Sequence, residues 1–251
     1  MSLLQPAWPA PRQVGAGMSL RGGGVSVGPY ASLNVGVAVG DDPVAVAHNR
    51  SRFSTLLGAQ PVWLRQVHGQ AVLRLHDGQP REEPADAAWT TVPGIACTVQ
   101  VADCLPVLFA VRDGRAVGAA HAGWRGLAGG VLEATIEAIC RGTAAAPADL
   151  FVWLGPCIGP RRFQVGADVL RAFEHHPDGP PGGCFVARPR ADGEPRWLAD
   201  LQQLAHHRLT AAGVVHITRA AGCTVEEPSA FFSFRRDGVT GRMAAAVWLQ
   251  G

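Results

Sequence analysis

Lysine is missing from this chain of 251 residues, in which all 22 basic side chains are arginines. Without a lysine amine, the protein cannot form a Schiff base or bind a nucleotide through a phosphate-loop lysine, so both mechanisms are excluded. The 20 acidic residues leave a net charge of +2, and the arginines are spread along the chain instead of forming basic runs. This balance argues against general nucleic-acid binding.

Long apolar runs are also missing. The longest one, at 104–111, has eight residues, whereas a membrane-spanning helix needs roughly 20. The first residues have neither a basic start nor a continuous apolar region, so they do not resemble a signal peptide. We therefore expect no membrane partner, a cytoplasmic protein, and reduced thiols at its six cysteines.

The residues that are present favour one folded domain. Hydrophobic residues make up 47% of the chain and charged residues 17%, which is typical of a globular protein. No linker-like segment divides the sequence, so residues 1–251 are interpreted as a single domain. Strand-like segments outnumber helical ones about two to one, and the predicted class is α+β, with stacked mixed β-sheets flanked by helices.

Local patterns predict the elements of this fold. Asp42-Pro43 at the start and Gly58 at the end indicate one helix. Apolar spacing predicts three more helices, at 127–140, 168–175 and 200–213. Strands are predicted at 62–67, 71–75, 95–101, 106–111, 115–121, 151–154, 214–217, 231–234 and 243–249. An Asp-Gly pair at 237–238 predicts a hairpin whose arginines bind an anion or lie on the surface, and 78–84 and 175–195 are predicted as surface loops.

Four motifs place polar or reactive side chains at the ends of predicted strands, next to glycines that let a ligand approach the backbone. They are QVHG at 66–69, ADCLP at 102–106, HAGWRG at 121–126 and GPCIGP at 155–160. Three of these motifs contain His68, Cys104 and His121. If the strand ends meet, these nitrogen and sulfur donors suit zinc, and three protein ligands leave a fourth coordination position open for catalysis.

Two other interpretations of these three residues stay open at this point. Cys104 acting as a thiolate nucleophile with a histidine base needs no metal. Buried cysteine and histidine are also common in packed cores that have no catalytic role. Asp103, next to the cysteine, is a candidate hydrogen-bond partner of a ligand or a candidate proton carrier.

Candidate substrate contacts lie in other glycine-rich segments. The turn after His121 exposes backbone N–H groups at a helix start, and Arg125 adds a bidentate hydrogen-bond donor for phosphate. The alternative is that this turn only connects a strand to a helix and binds no ligand. Arg21 and Asn34 lie in polar segments that either cover a pocket or form solvated turns. Cys157, between two Gly-Pro steps, is either a structural thiol or a substrate contact.

Taken in order, the motifs RGGGVS, SLNVG, GDDP, QVHG, ADCLP, HAGWRG, GPCIGP, FFSFRRDG and TGR resemble the laccase-domain or polyphenol-oxidase-like family. The resemblance runs from about Ser19 to Leu249. Members are described as purine nucleoside phosphorylases with adenosine deaminase activity, and also as peptidoglycan editing factors. The resemblance implies a single α+β domain, similar to a cysteine-hydrolase-like layered fold. It also implies that His68, Cys104 and His121 bind zinc, with copper as an alternative.

The resemblance further implies phosphorolysis of adenosine, inosine and methylthioadenosine to a free base and a sugar 1-phosphate, together with hydrolytic deamination of adenosine. The partners would be a small-molecule nucleoside and phosphate, and we expect a monomer. The three metal ligands are the candidate catalytic residues. The candidate substrate-binding residues are Arg21, Asn34, Arg125 and Cys157.

Other functions compete with this one. A copper polyphenol oxidase of the cupredoxin type uses His-x-His pairs, but no two of the nine histidines are separated by a single residue. A second alternative is a metal- or cysteine-dependent hydrolase that edits UDP-muramyl amino acid precursors of the cell wall. A third is a metal-binding interaction module without turnover.

Overall fold

Two large β-sheets pack face to face at the centre of the molecule. The computed structural model describes residues 3–78, 83–174 and 183–251. Within these residues the helices are α1 (Pro43–Leu57), α2 (Trp124–Gly129), α3 (Val131–Thr143), α4 (Ala167–Glu174), α5 (Leu201–Ala211) and α6 (Phe234–Asp237). The strands are β1 (Leu3–Leu4), β2 (Val14–Ser19), β3 (Gln60–Trp63), β4 (Val72–Leu75), β5 (Ala87–Thr90), β6 (Ile95–Val101), β7 (Leu105–Val111), β8 (Val117–Ala122), β9 (Leu150–Leu154), β10 (Gln164–Val165), β11 (Phe185–Ala187), β12 (Trp197–Ala199), β13 (His216–Arg219) and β14 (Met243–Leu249).

Both large sheets are mixed. One has five strands in the order β1-β2-β14-β6-β3, and the other has six in the order β13-β9-β7-β8-β5-β4. Most neighbours are antiparallel, but β3 runs parallel to β6, β4 to β5, and β13 to β9. Three short strands form a small third sheet in the order β10-β12-β11. The predicted α+β class, with stacked mixed sheets flanked by helices, is confirmed.

Strand β7 lies inside the molecule with both of its faces covered. Its Leu108 and Ala110 pack between the two large sheets, whereas Val107 and Phe109 pack on the opposite side, under the helices. All seven residues of the strand are buried. A strand buried on both faces needs a continuous apolar sequence, which explains why the longest apolar run in the chain is found here.

Helices cover the outer faces of the sheets. On the five-stranded sheet, Phe53 and Leu57 of α1 pack with Ala96, Ala246 and Trp248. On the six-stranded sheet, α3 and α5 contribute apolar side chains to the largest core cluster, which also contains strand residues such as Val107 and Val152. In the described part of the chain, no helix combines the length and the apolar content that crossing a bilayer requires.

The predicted start and end of α1 are confirmed. Its Asp42 side chain accepts a 3.0 Å hydrogen bond from the N–H of Val44, and Gly58 ends the helix in the left-handed region at φ 62°. The segment predicted as one helix at 127–140 is two helices. Gly130, at φ 102°, ends α2 and begins α3, a backbone conformation that glycine adopts without strain.

The hairpin predicted near the C-terminus, together with its strand at 231–234, is wrong. Residues 234–237 form the single turn α6, because Ser233 caps it by accepting a 3.1 Å hydrogen bond from the N–H of Arg236. Within the predicted loops, residues 79–82 and 175–182 lie outside the described residues. The second loop prediction is wrong at 185–187, where pairing with β12 forms strand β11.

Strands β2 and β5 were not predicted, since their sequences VGAGMS and AAWT are rich in small residues and show little apolar alternation. The small residues have a packing reason. A Cβ at Gly15 of β2 would overlap the indole ring of Trp248.

Candidate metal centre

The predicted donors meet at one point. His68 lies in the loop between β3 and β4, Cys104 directly precedes β7, and His121 lies in β8. Strands β7 and β8 are antiparallel neighbours with Pro106 opposite His121, so their register brings Cys104 to the end of β8. The ligand atoms of the three side chains all lie within 4.8 Å of one another. His68 is exposed, Cys104 is half-buried and His121 is buried, so the cluster is reachable from one side.

Asp86 organises both histidines. Its fully buried carboxylate accepts a 2.8 Å hydrogen bond from Nδ1 of His121. It also accepts hydrogen bonds from three consecutive backbone N–H groups, those of Val67 at 3.1 Å, His68 at 2.9 Å and Gly69 at 2.7 Å. His68 is held in the left-handed region at φ 60°, a conformation uncommon for residues other than glycine. One carboxylate therefore fixes the ring of His121 and the backbone of His68.

The electrostatics of the cluster favour a thiolate. Burial raises the pKa of Cys104, but the charge of His121 and the hydrogen bonds from both histidines outweigh it and bring that pKa to about 6. Burial lowers the pKa of His121, while the Cys104 thiolate and the Asp86 carboxylate raise it to about 9. Burial also raises the pKa of Asp86, but its bonds from His121 and the backbone hold that pKa below the usual value. The thiolate is the form of cysteine that binds metals.

The cluster meets the requirements of a three-ligand metal site. Asp86 occupies Nδ1 of His121, which leaves its Nε2 for coordination, the arrangement common among metal-binding histidines. Sγ of Cys104 lies 3.8 Å from Nε2 of His68, close to the separation of about 3.6 Å that tetrahedral zinc imposes on one sulfur and one nitrogen ligand. The same contact suits a thiolate and histidine base acting without metal.

A cavity of about 650 Å³ contains the cluster at one side. Its walls come from the segment after β2, helix α1, the ends of β3 and β6, and the C-terminal region. The lining residues are Gly36, Val37, Ala38, Val39, Arg50, Trp63, Leu64, Arg65, Gln66, His68, Gln100, Val101, Ala102, Cys104, His121, Phe234 and Arg242. The size suits a ligand of drug or nucleoside dimensions.

Two arginines, Arg50 and Arg242, bring positive charge to the cavity. Arg50 stacks on the ring of Trp63 at 4.1 Å, and its Nε donates to the carbonyl of Val35 at 2.8 Å. Arg242 donates to backbone carbonyls, and neither arginine forms an ion pair with a carboxylate of the described residues. Burial lowers the pKa of Arg50 to about 10 and also lowers that of Arg242. Because burying a charge without a partner is costly, an anionic ligand is favoured between them.

The residues predicted to bind substrate lie outside the cavity lining. Arg21 donates to the carbonyls of Ala31 and Pro228. Asn34 is buried, and its Oδ1 accepts from the N–H groups of Gly36 and Arg242, so it supports two parts of the cavity wall. Their direct contact with substrate stays a prediction.

The other two predicted contacts also lie elsewhere. Arg125 stacks on the ring of Trp124 at 4.2 Å, at the start of the short helix α2. Cys157 is buried and faces Cys223 in an isolated β-bridge. Burial raises the pKa of the Cys157 thiol well above its usual value. Substrate binding by these residues stays a prediction.

Asp103 connects the cluster to the C-terminal region. Its carboxylate accepts hydrogen bonds from the hydroxyl of Thr224 at 2.5 Å and from the backbone N–H of Arg235 at 2.6 Å. The carboxylate thus anchors the start of α6, which brings Phe234 to the cavity. Asp103 adopts φ 92° in the turn before Cys104, a conformation uncommon for residues other than glycine.

Sequence reasoning missed several of these groups. Asp86 could have been identified from the sequence, since it is a single carboxylate within the apolar segment ADAAW. Arg242 belongs to the TGR motif and Phe234 to FFSFRRDG, both quoted for the resemblance. Arg50 and Trp63 had no such signal, because helix α1 and strand β3 reach the cavity only through tertiary packing.

Comparisons with known proteins identify a family that matches nearly the whole chain. The family model described as multi-copper polyphenol oxidoreductase laccase matches residues 15–250. A purine nucleoside phosphorylase of Pseudomonas aeruginosa and the purine nucleoside phosphorylase YfiH of Escherichia coli are each 47% identical over 249 residues, covering 98% of this chain and of each relative.

Solved structures match closely as well. A Neisseria meningitidis protein superimposes with a TM-score of 0.91 at 42% identity, covering 100% of both chains. YlmD from Geobacillus stearothermophilus superimposes with a TM-score of 0.90 at 34% identity, covering 100% of this chain and 97% of its own. The chain therefore belongs to the laccase-domain, polyphenol-oxidase-like family, in which these curated relatives carry the name purine nucleoside phosphorylase.

Proposed function

We propose that this protein is a zinc-dependent purine nucleoside phosphorylase that acts on adenosine, inosine and methylthioadenosine and also deaminates adenosine. The observation that carries the proposal is a single cavity that joins the His68–Cys104–His121 cluster to Arg50 and Arg242. One side of the cavity suits a metal, and the arginines suit phosphate. The names of the curated relatives support the same reaction class.

Arg50 and Arg242 are the proposed phosphate ligands. Their guanidinium groups are planar donors that form short, charge-assisted hydrogen bonds to phosphate oxygens. Arg50 uses Nε to bond Val35, and Arg242 uses Nη1 to bond backbone carbonyls, so each retains further N–H groups for a ligand. Their backbone and ring contacts hold them in place before phosphate arrives, which lowers the ordering cost of binding.

Phosphorolysis exchanges one bond at the sugar for another. A phosphate oxygen forms a bond to C1′, the bond from C1′ to N9 breaks, and its electron pair stays on the base, which takes up the proton that hydrogen phosphate gives up. Positive charge develops at C1′ and negative charge on the departing base, so fixed charges in the cavity would stabilise the transition state. Arg50 and Arg242 would place the phosphate for attack.

The cluster is the proposed metal centre for both reactions. When bound, zinc supplies a Lewis acid that polarises a substrate atom. His68 and Cys104 would hold it from the accessible side and His121 from the buried side. Asp86 keeps His121 in the tautomer that presents Nε2. The residues do not fit a multicopper centre, because this is the one group of three potential ligands found in the described residues.

A product assay tests the proposal. Zinc-loaded protein is incubated with adenosine, with and without phosphate, and the products are separated by chromatography. Adenine that appears with phosphate alone supports phosphorolysis, and inosine that appears in both reactions supports deamination. If neither product forms, the proposal is wrong. Phosphate-independent cleavage of a UDP-muramyl amino acid would then favour the hydrolase alternative.

A further inference from the structure

Gln100 presents an amide group to the cavity from an otherwise buried strand. It is the one residue of β6 that is not buried, and it lines the cavity together with the metal cluster and Arg50. Cys97, Val99 and Val101 of the same strand face the core between the large sheets. Since side chains alternate along a strand, Gln100 projects from the opposite face, on the side covered by α1.

The backbone of Gln100 is held from two sides. On one side it pairs in register with Ala244 of β14. On the other side the carboxamide of Gln66 donates to the carbonyl of Gln100 at 2.9 Å and accepts from its N–H at 2.7 Å. Gln66 therefore takes the place of a neighbouring strand where β3 has ended. These contacts fix the position of the backbone from which the Gln100 side chain extends.

The two glutamines differ in how many hydrogen-bonding groups of their side-chain amides remain available to a ligand. The Gln66 carboxamide is used by the backbone contacts just described. The Gln100 carboxamide has no hydrogen-bond partner among the residues that the structure describes. It carries one acceptor oxygen and two N–H donors. When a ligand supplies the missing hydrogen bonds to a half-buried amide, those bonds contribute favourably to the free energy of binding.

We propose that Gln100 recognises the purine base by pairing with N1 and the substituent at C6, an inference that rests on the proposed function. With adenine, the amide oxygen accepts from the 6-amino group and the amide N–H donates to N1. Turned by half a rotation, the same amide donates to O6 of hypoxanthine and accepts from its N1–H. A neutral group that both donates and accepts thus accommodates 6-amino and 6-oxo purines in one cavity, which a carboxylate or an arginine does not.

The test compares substrates that differ at C6. Purine riboside carries hydrogen there and loses one of the two hydrogen bonds. We expect native protein to prefer adenosine and inosine over purine riboside in kcat/KM for base release. The preference should fall about fivefold or more in Gln100→Met, which keeps the side-chain length and removes the amide. Differences in intrinsic reactivity among the nucleosides are the same in both proteins and cancel.

Gln250→Met is the matched control, because Gln250 is exposed and lies outside the cavity lining. Metal content and thermal unfolding of each variant show whether the fold and the centre are retained. An unchanged preference in a folded, metal-loaded Gln100→Met protein overturns the role of Gln100 and leaves the proposed function in place.

Failure of the proposed function gives a different result. The native protein then releases no base from any nucleoside in the presence of phosphate. In that case equilibrium dialysis with free adenine and hypoxanthine decides the role of Gln100. Binding that weakens about fivefold or more in Gln100→Met supports it; equal binding, or no binding to native protein, overturns it.

Discussion

Asp86 and His121 form a buried carboxylate–imidazole pair, with Oδ1 of Asp86 2.8 Å from Nδ1 of His121. The same carboxylate holds the backbone at His68, so two of the three proposed metal ligands depend on one residue. A carboxylate is required because it only accepts hydrogen bonds, and all four of its partners are N–H donors.

Asp86→Asn should therefore weaken zinc binding. The new amide N–H must face either His121 or the backbone N–H groups of the loop, and one of these donors then loses its acceptor. We expect zinc affinity to fall about 10- to 100-fold, measured by competition with a chromophoric chelator. Asp113→Asn, in the exposed turn between β7 and β8, should bind zinc like native protein. Equal affinities for both variants would show that Asp86 does not orient the centre.

Removal of any one proposed ligand should abolish both activities. His68→Ala, Cys104→Ala and His121→Ala each leave two ligands, too few to hold zinc in a catalytic geometry. Adenine release and inosine formation, followed by chromatography, should both disappear along with bound metal. Cys140→Ala is the matched control, since Cys140 lies in α3 outside the cavity. Full activity in any ligand variant would refute a shared metal centre.

The cavity arginines should act mainly on phosphate. Arg50→Met and Arg242→Met each remove charged hydrogen bonds, so KM for phosphate should rise about tenfold or more, while KM for the nucleoside changes less. Initial rates at varied phosphate with fixed inosine, and at varied inosine with fixed phosphate, measure the two constants. Arg141→Met, which removes an exposed partner of Glu137, should leave KM unchanged. A rise confined to the nucleoside KM would place the phosphate elsewhere.

Cys104 should be the most reactive thiol of metal-free protein. It is half-buried and its pKa is lowered, whereas burial raises the pKa of Cys97, Cys140 and Cys157. Iodoacetamide at neutral pH should label Cys104 first, and zinc should protect it, as peptide mass spectrometry would show. Labelling of Cys140 ahead of Cys104, or labelling that zinc does not slow, would contradict the assignment.

The three donors of the centre could be predicted because each stands in a short motif at or next to the end of a predicted strand. The rest of the site could not be predicted in the same way, since its residues have no common sequence feature. Trp63 and Arg50 come together only when α1 packs beside β3. Gln100 is distinguished as the one half-buried position of an otherwise buried strand, which can be recognised once the sheet faces are known.

The misassigned C-terminal hairpin has a similar cause. An Asp-Gly pair favours a tight turn, but the cap at Ser233 and the contact from Asp103 to the backbone of Arg235 favour one helical turn instead. That contact joins residues 132 positions apart. Local propensity carries no information about such a partner.

The ligand cluster is assembled from distant parts of the polypeptide: Cys104 and His68 are 36 positions apart, and His121 and Asp86 are 35 apart. An unfolded chain consequently has no preformed chelate, and zinc should associate with the native conformation almost alone. By mass action, free zinc at 100 times its dissociation constant would add about 2.7 kcal/mol to the free energy of unfolding. Loss of the ion would therefore lower the melting temperature of the protein and also abolish the proposed catalytic activity.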